Sequence, residues 1–99
     1  MAYRIEYHPE ARTDLRELGK VRSRILDAVE QQLRGEPTKE THNRFEAAPN
    51  PFGRYELRVQ PYRVYFNVDE AAQTVRIEAV LYKPRETAYR RGKEVNTRE

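Results

Sequence analysis

The sequence predicts an α+β fold, and three observations carry it. A short alternating segment opens the chain, two runs of helical apolar spacing follow, and the second half consists of alternating segments separated by turn residues. Strand, helix, helix and then three consecutive strands imply a helix hairpin packed on an antiparallel meander, with the other sheet face left partly open. At 99 residues the chain is expected to form one domain spanning 1–99.

The first strand is Tyr3-Arg-Ile-Glu-Tyr7, whose odd positions point inward. Pro9 suits the first turn of a helix, where its missing N–H is harmless. Ala11, Leu15 and Leu18 then form one apolar stripe that Gly19 terminates. In the second helix Val21, Ile25, Ala28, Val29 and Leu33 share a face, and Gly35 with Pro37 ends the run. These helices read as an antiparallel hairpin. Residues 36–51 carry three prolines and no clear period, and read as a loop anchored by Phe45.

The stretch Arg54-Tyr-Glu-Leu-Arg-Val-Gln-Pro-Tyr-Arg-Val-Tyr-Phe66 predicts a hairpin turning at Gln60-Pro61. Period-2 alternation then sends Leu57, Val59, Tyr62, Val64 and Phe66 to one face. Arg54, Glu56, Arg58, Arg63, Tyr65 and Asn67 go to the other, and Arg58 lies opposite Arg63. Like charges directly across an antiparallel pair destabilise it, so a partner is expected to supply negative charge between them, a phosphate backbone being the obvious candidate. Asp69–Gln73 connects to a last strand, Thr74–Tyr82, in which Val75, Ile77, Ala79 and Leu81 alternate with Arg76, Glu78, Val80 and Tyr82. Pro84 to about Arg91 reads as a short C-terminal helix, and residues 92–99 as a frayed tail. With Arg4 and Glu6, the polar positions of all these strands make one densely charged open face.

Composition limits the function classes. Lys+Arg exceeds Asp+Glu, 19 against 16, which favours an anionic partner modestly. With no cysteine there is neither a disulfide framework nor a thiolate metal site. No run approaches the ~18 apolar residues of a membrane span, and the N-terminus lacks the apolar core of a signal peptide, so no membrane partner and a cytoplasmic location are expected. His8 leads into the first helix and His42 lies in the Pro-rich loop. Neither has a partner at ligand spacing, so no metal or other cofactor is expected.

In this order and at this length, several segments together resemble one family. They are the first strand with Pro9-Glu-Ala-Arg-Thr-Asp-Leu15, the block Phe52-Gly-Arg-Tyr-Glu-Leu-Arg-Val59, the strand Tyr62-Arg-Val-Tyr-Phe-Asn-Val68, and the ending Arg85-x-x-x-Tyr89. The chain resembles the RelE/ParE superfamily of toxins from bacterial toxin–antitoxin modules. The resemblance implies a cognate antitoxin as partner. It implies one of two activities: RelE-type members are ribosome-dependent endoribonucleases that cut mRNA, whereas ParE-type members inhibit DNA gyrase. A catalytically inactive homologue is the third possibility.

The RelE-type reading leads here, and it assigns a metal-independent cleavage site. Carried across, the catalytic candidates are Arg63 for phosphate stabilisation, Arg54 for positioning, and Lys83 or Arg85 with Tyr89 at the C-terminal end. Where RelE proteins carry a second lysine this chain has Glu56, the candidate general base in its place. Arg58, Arg76, Tyr65 and Tyr82 are the candidate RNA-binding residues, the tyrosines as stacking surfaces. Each has a structural counterpart: Arg63 as an ion pair with Glu56 or Glu78, Glu56 as a charge offsetting Arg58 and Arg63, Tyr89 as packing of the terminal segment. Tyr3, Tyr7, Tyr55 and Tyr62 are expected in the core.

Overall fold

A computed structural model describes residues 2–98. The elements run β1 (Arg4–Tyr7), α1 (Pro9–Glu17), α2 (Val21–Leu33), β2 (Arg44–Glu46), β3 (Tyr55–Val59), β4 (Tyr62–Asp69), β5 (Thr74–Tyr82), β6 (Ala88–Arg90) and β7 (Lys93–Val95). The expected α+β class, the first strand and the helix pair are present with nearly the expected bounds. His8 caps α1 through Nδ1, which accepts from the Glu10 amide at 3.0 Å. Gly19 closes it by taking a left-handed φ of 59°, a conformation glycine adopts without a Cβ clash.

The sheet is larger than a three-stranded meander. Its order is β2-β3-β4-β5-β6-β7, with β1 also paired to β5. β1 runs parallel to the first half of β5 and β6 antiparallel to its last residue, so both occupy the edge of β5 that β4 leaves free. The helices and the sheet's inner face close one core around Ile25, Val29, Leu33, Leu57, Val64, Phe66, Val75 and Ile77, all 1% exposed or less. Burying each such side chain stabilises the fold by about 1.5–3 kcal/mol. This is why 3.6-residue and 2-residue periods were legible in these segments.

Three expectations are corrected. First, residues 36–51 are not all loop: β2 pairs with β3, and the anchor is Arg44, 8% exposed, rather than half-buried Phe45. Arg44 donates to the Lys39 carbonyl at 2.7 Å and to the Gln32 carbonyl, tying the segment to the end of α2. Second, the C-terminal segment forms the β6–β7 hairpin, not a helix and a frayed tail. Arg91 and Gly92 both have positive φ, 50° and 80°, the paired requirement of a type I′ turn whose twist suits two strands. An arginine in the first of those positions hides the signal, since Asn or Asp usually marks it.

The third correction concerns β5. Tyr65 faces Ala79, but Phe66 faces Ile77, so Glu78 is an extra residue and the strand bulges. The bulge shifts the period-2 phase by one. Val75 and Ile77 point to the helices, and so does Val80, whereas Ala79 and Leu81 point to the opposite face with Tyr65. There they meet Phe52, Ala88 and Val95 in a second, smaller apolar cluster. Part of the face expected to be open is therefore covered. The covering loop depends on Gly53, where a Cβ would come within 3.0 Å of the Phe66 backbone nitrogen.

Candidate functional site

The β3–β4 hairpin has the register read from the sequence: Val59 pairs with Tyr62 across Gln60-Pro61, whose peptide bond is cis, and Arg58 pairs with Arg63. The negative charge between the two arginines comes from the chain itself. An oxygen of Glu56 lies 3.0 Å from Nε of Arg63 and 3.5 Å from Nε of Arg58. Two residues before Arg58 on the same strand, Glu56 shares its face and sits diagonal to Arg63, within reach of both.

The cluster is largely out of water. Arg63 is 8% exposed and Glu56 9%. Arg63 also donates to Gln60 Oε1 at 3.0 Å and to the Tyr62 carbonyl at 3.3 Å, and Arg58 lies over the Phe45 ring at 4.9 Å. Burial lowers the Arg63 pKa, the Arg58 charge lowers it further, and Glu56 offsets part of this. Neither Nε, of Arg58 or of Arg63, has a hydrogen-bond partner of good geometry. One carboxylate against two guanidiniums leaves one positive charge and two unsatisfied N–H groups. An incoming anionic oxygen has to displace Glu56 to reach them.

The remaining candidates do not all converge on this point. Tyr65, expected at the surface, is 3% exposed beneath Phe52, ring centroids 5.6 Å apart, so no base can stack on it. Burial, reinforced by Glu56, pushes its hydroxyl up to about 12. Tyr82 and Tyr89 face the helix side of the sheet, because the bulge reverses the end of β5 and Tyr89 is the register partner of Tyr82. Arg54 is exposed, pairs with Glu46 at 3.2 Å and lies over the Tyr55 ring. Arg76 is exposed near Glu78, at 3.6 Å, in a shallow groove shared with Arg4, Glu6 and Asn67. Lys83 follows β5 and donates its amide to the Pro61 carbonyl at 2.8 Å, and Arg85 is exposed just beyond. Among the described residues neither has an ion-pair partner, and no group of three His, Cys, Asp or Glu is arranged to hold a metal. Among the described residues no helix is long and apolar enough to cross a membrane.

A second carboxylate cluster escaped the sequence reading. β1 and β6 leave a gap along the edge of β5, and Asp14 of α1, 2% exposed, fills it. Asp14 accepts from the Val80 amide at 3.0 Å and from Arg90 Nε at 2.9 and 3.0 Å, with Arg91 3.5 Å away. A signal was available: Asp14 lies at i+3 from Ala11, inside the apolar stripe of α1, where an acid is buried and needs partners.

A family model for the ParE toxin of the parDE type II toxin–antitoxin system matches residues 5–86. This chain belongs to the RelE/ParE toxin superfamily. The toxin also resembles solved structures of that kind. Against a chain of the RelBE2 toxin–antitoxin complex of Mycobacterium tuberculosis the TM-score is 0.70 at 21% identity, covering 84% of this chain and all of that one. Against a chain of the intact E. coli RelBE complex it is 0.52 at 23% identity, covering 86% and 100%. At such identities the likeness is one of fold. No curated protein matches the sequence. The toxin is the toxin component of a type II toxin–antitoxin module, and a cognate antitoxin is its partner.

Proposed function

We propose that this toxin works by gripping a protein target, in the manner of ParE-type inhibitors of DNA gyrase, without cutting RNA. The observation that carries the reading is the Glu56 carboxylate between Arg58 and Arg63. A scissile phosphate would have to displace a buried ion pair to reach Arg63, and a carboxylate there repels it. As a general base Glu56 would need to be free, yet it is engaged by two guanidiniums. Tyr89 faces the side of the sheet opposite Arg63, which removes it from a common constellation with that arginine. The family-model match to ParE toxins supports the same reading.

Cleavage of mRNA on the ribosome is the second reading. It is favoured by the unsatisfied Nε atoms of Arg58 and Arg63 and by the free charges of Lys83 and Arg85 near the same hairpin end. In either case the antitoxin holds the toxin inactive. A groove of Tyr7, Leu15 and Leu26 edged by Arg12, Arg16 and Arg22 supports an acidic amphipathic segment of the antitoxin on the helix hairpin.

Pulse-labelled DNA and protein synthesis in the first minutes after induction, wild type beside Arg63→Ala, separates the two. Early loss of DNA synthesis in both strains is the expected result. Early translation arrest that disappears in a folded Arg63→Ala toxin would overturn the proposal in favour of RNA cleavage.

A further inference from the structure

Opposite the arginine cluster, on the helix side of the same hairpin end, three tyrosines line up across three strands. Tyr62, Tyr82 and Tyr89 are successive register partners on β4, β5 and β6. Ring centroids are 5.4 Å apart between the first two and 6.3 Å between the last two. Tyr82, 41% exposed, is the large apolar side chain that the described surface leaves uncovered. Arg24 of α2 lies over the Tyr62 ring at 5.9 Å, its guanidinium held by the Gln60 carbonyl at 2.8 Å. A cleft of about 190 Å³ opens alongside, walled by Leu18, Val80, Tyr82 and Tyr89 on one part and by Asp14, Glu17 and Arg91 on the rest.

Two physical facts make this more than a solvated edge. The ridge exists only because the Glu78 bulge re-aims Tyr82; with an unbroken phase Tyr82 would join the charged face. Its composition, tyrosines with an arginine fixed by a hydrogen bond, is that of protein–protein hot spots, where rigid aromatic area is buried at small entropic cost. The ridge is positive at its Tyr62 end, where Arg24 over that ring, Lys83 beside Pro61 and Arg85 just beyond have no acidic ion-pair partner among the described residues. Exposed acids lie toward its other end, Glu17 at the cleft and Glu94 as the register partner of Tyr89, with Glu86 in the loop between the strands.

We infer that the Tyr62–Tyr82–Tyr89 ridge with Arg24 is the surface by which the toxin grips its protein target. The partner presents an apolar side chain to the cleft and aspartates or glutamates to the basic Tyr62 end. The inference rests on the protein-binding reading above and names the surface that executes it.

Purified DNA gyrase is the probe, with inhibition of supercoiling by wild type, Tyr82→Ala, Tyr82→Phe and Arg24→Glu as the readout. Affinity for the cognate antitoxin is measured in parallel. Tyr82→Ala and Arg24→Glu should each weaken inhibition by about tenfold or more, as for a hot-spot residue. Tyr82→Phe should retain it, and antitoxin affinity should stay unchanged. Arg24 is exposed, so its variant remains informative if Tyr82→Ala is poorly folded. Inhibition by wild type and both variants alike would overturn the ridge while leaving the gyrase reading intact. Loss of antitoxin affinity in place of inhibition would assign the ridge to the antitoxin and overturn the inference. No inhibition by wild type would defeat the underlying reading and the ridge with it.

Discussion

Asp14 and Glu56 are both carboxylates flanked by two arginines, yet their surroundings make them different devices. Asp14 receives a backbone amide and a two-oxygen contact from one Arg90 nitrogen, so its charge and a gap in the sheet edge are satisfied together. It joins α1, β5 and the C-terminal hairpin, residues far apart in sequence. Glu56 sits among near neighbours, at ion-pair distance from two nitrogens that remain without good hydrogen bonds. A fully bonded buried pair is a structural clasp, whereas a partly bonded one keeps capacity for an outside ligand.

The largest expected difference is in stability. Asp14→Ala would leave the Val80 amide and the Arg90 guanidinium buried without their acceptor and should destabilise by about 3–5 kcal/mol, read by urea unfolding. Glu56→Gln should cost less, about 1–2 kcal/mol, because Arg58 reaches solvent and an amide oxygen still accepts. Equal losses would erase the distinction between clasp and site.

Next in size is anion binding. Glu56→Gln unmasks a second positive charge on the sheet face, so a single-stranded RNA oligonucleotide should bind several-fold more tightly. Its log-affinity against log-salt slope should steepen by about 0.7 per added phosphate contact. An unchanged slope would mean that the arginines are closed to ligands even without the carboxylate.

A smaller effect should appear on alkaline titration. Tyr7 and Tyr65 are both raised to about 12, by burial first and then by the neighbouring glutamate, Glu30 or Glu56 respectively. Their ordinary value is 10.0, so between pH 10 and 12 the unfolded chain ionises while the folded one does not, and stability falls as pH rises through that window. Absorbance near 295 nm should show late-titrating tyrosines, one of which is lost in Tyr65→Phe and shifted down in Glu56→Gln. A Tyr65 that titrates normally would contradict its burial beside the cluster.

The smallest effect belongs to Glu10, hydrogen-bonded to Arg91 at 2.8 Å beside the Asp14 clasp. That bond lowers its pKa below 4.5, as the Arg34 bond does for Glu30. Their contribution is present above the unfolded value and is lost as pH falls through the folded one. Both are exposed, so added salt should flatten the acid limb of the stability profile, and Glu10→Gln should flatten it further.

The elements whose periodicity survived intact were readable residue by residue. Ala11, Leu15, Ile25, Val29 and Leu33 announced the helix pair because burial on one face demands that spacing. The Gln60-Pro61 turn fixed the Arg58–Arg63 opposition, because hairpin register follows from turn position. From that opposition an intervening negative charge could be inferred, and Glu56 was already among the groups that could supply it. The C-terminal hairpin was hidden by an arginine at a positive-φ position, and β2 by the prolines around it.

By itself, then, the sequence determined the α+β class, the helix pair, the central hairpin and the toxin family, since all rest on local spacing and short motifs. Only the tertiary structure decided which face each chemical group serves. A single bulge at Glu78 moved Tyr82 across the sheet and sent Ala79 and Leu81 under Phe52. A gap between β1 and β6 made Asp14 a clasp. Both depend on which strands become neighbours along β5, a long-range choice made by packing the whole chain, and no window of sequence contains it.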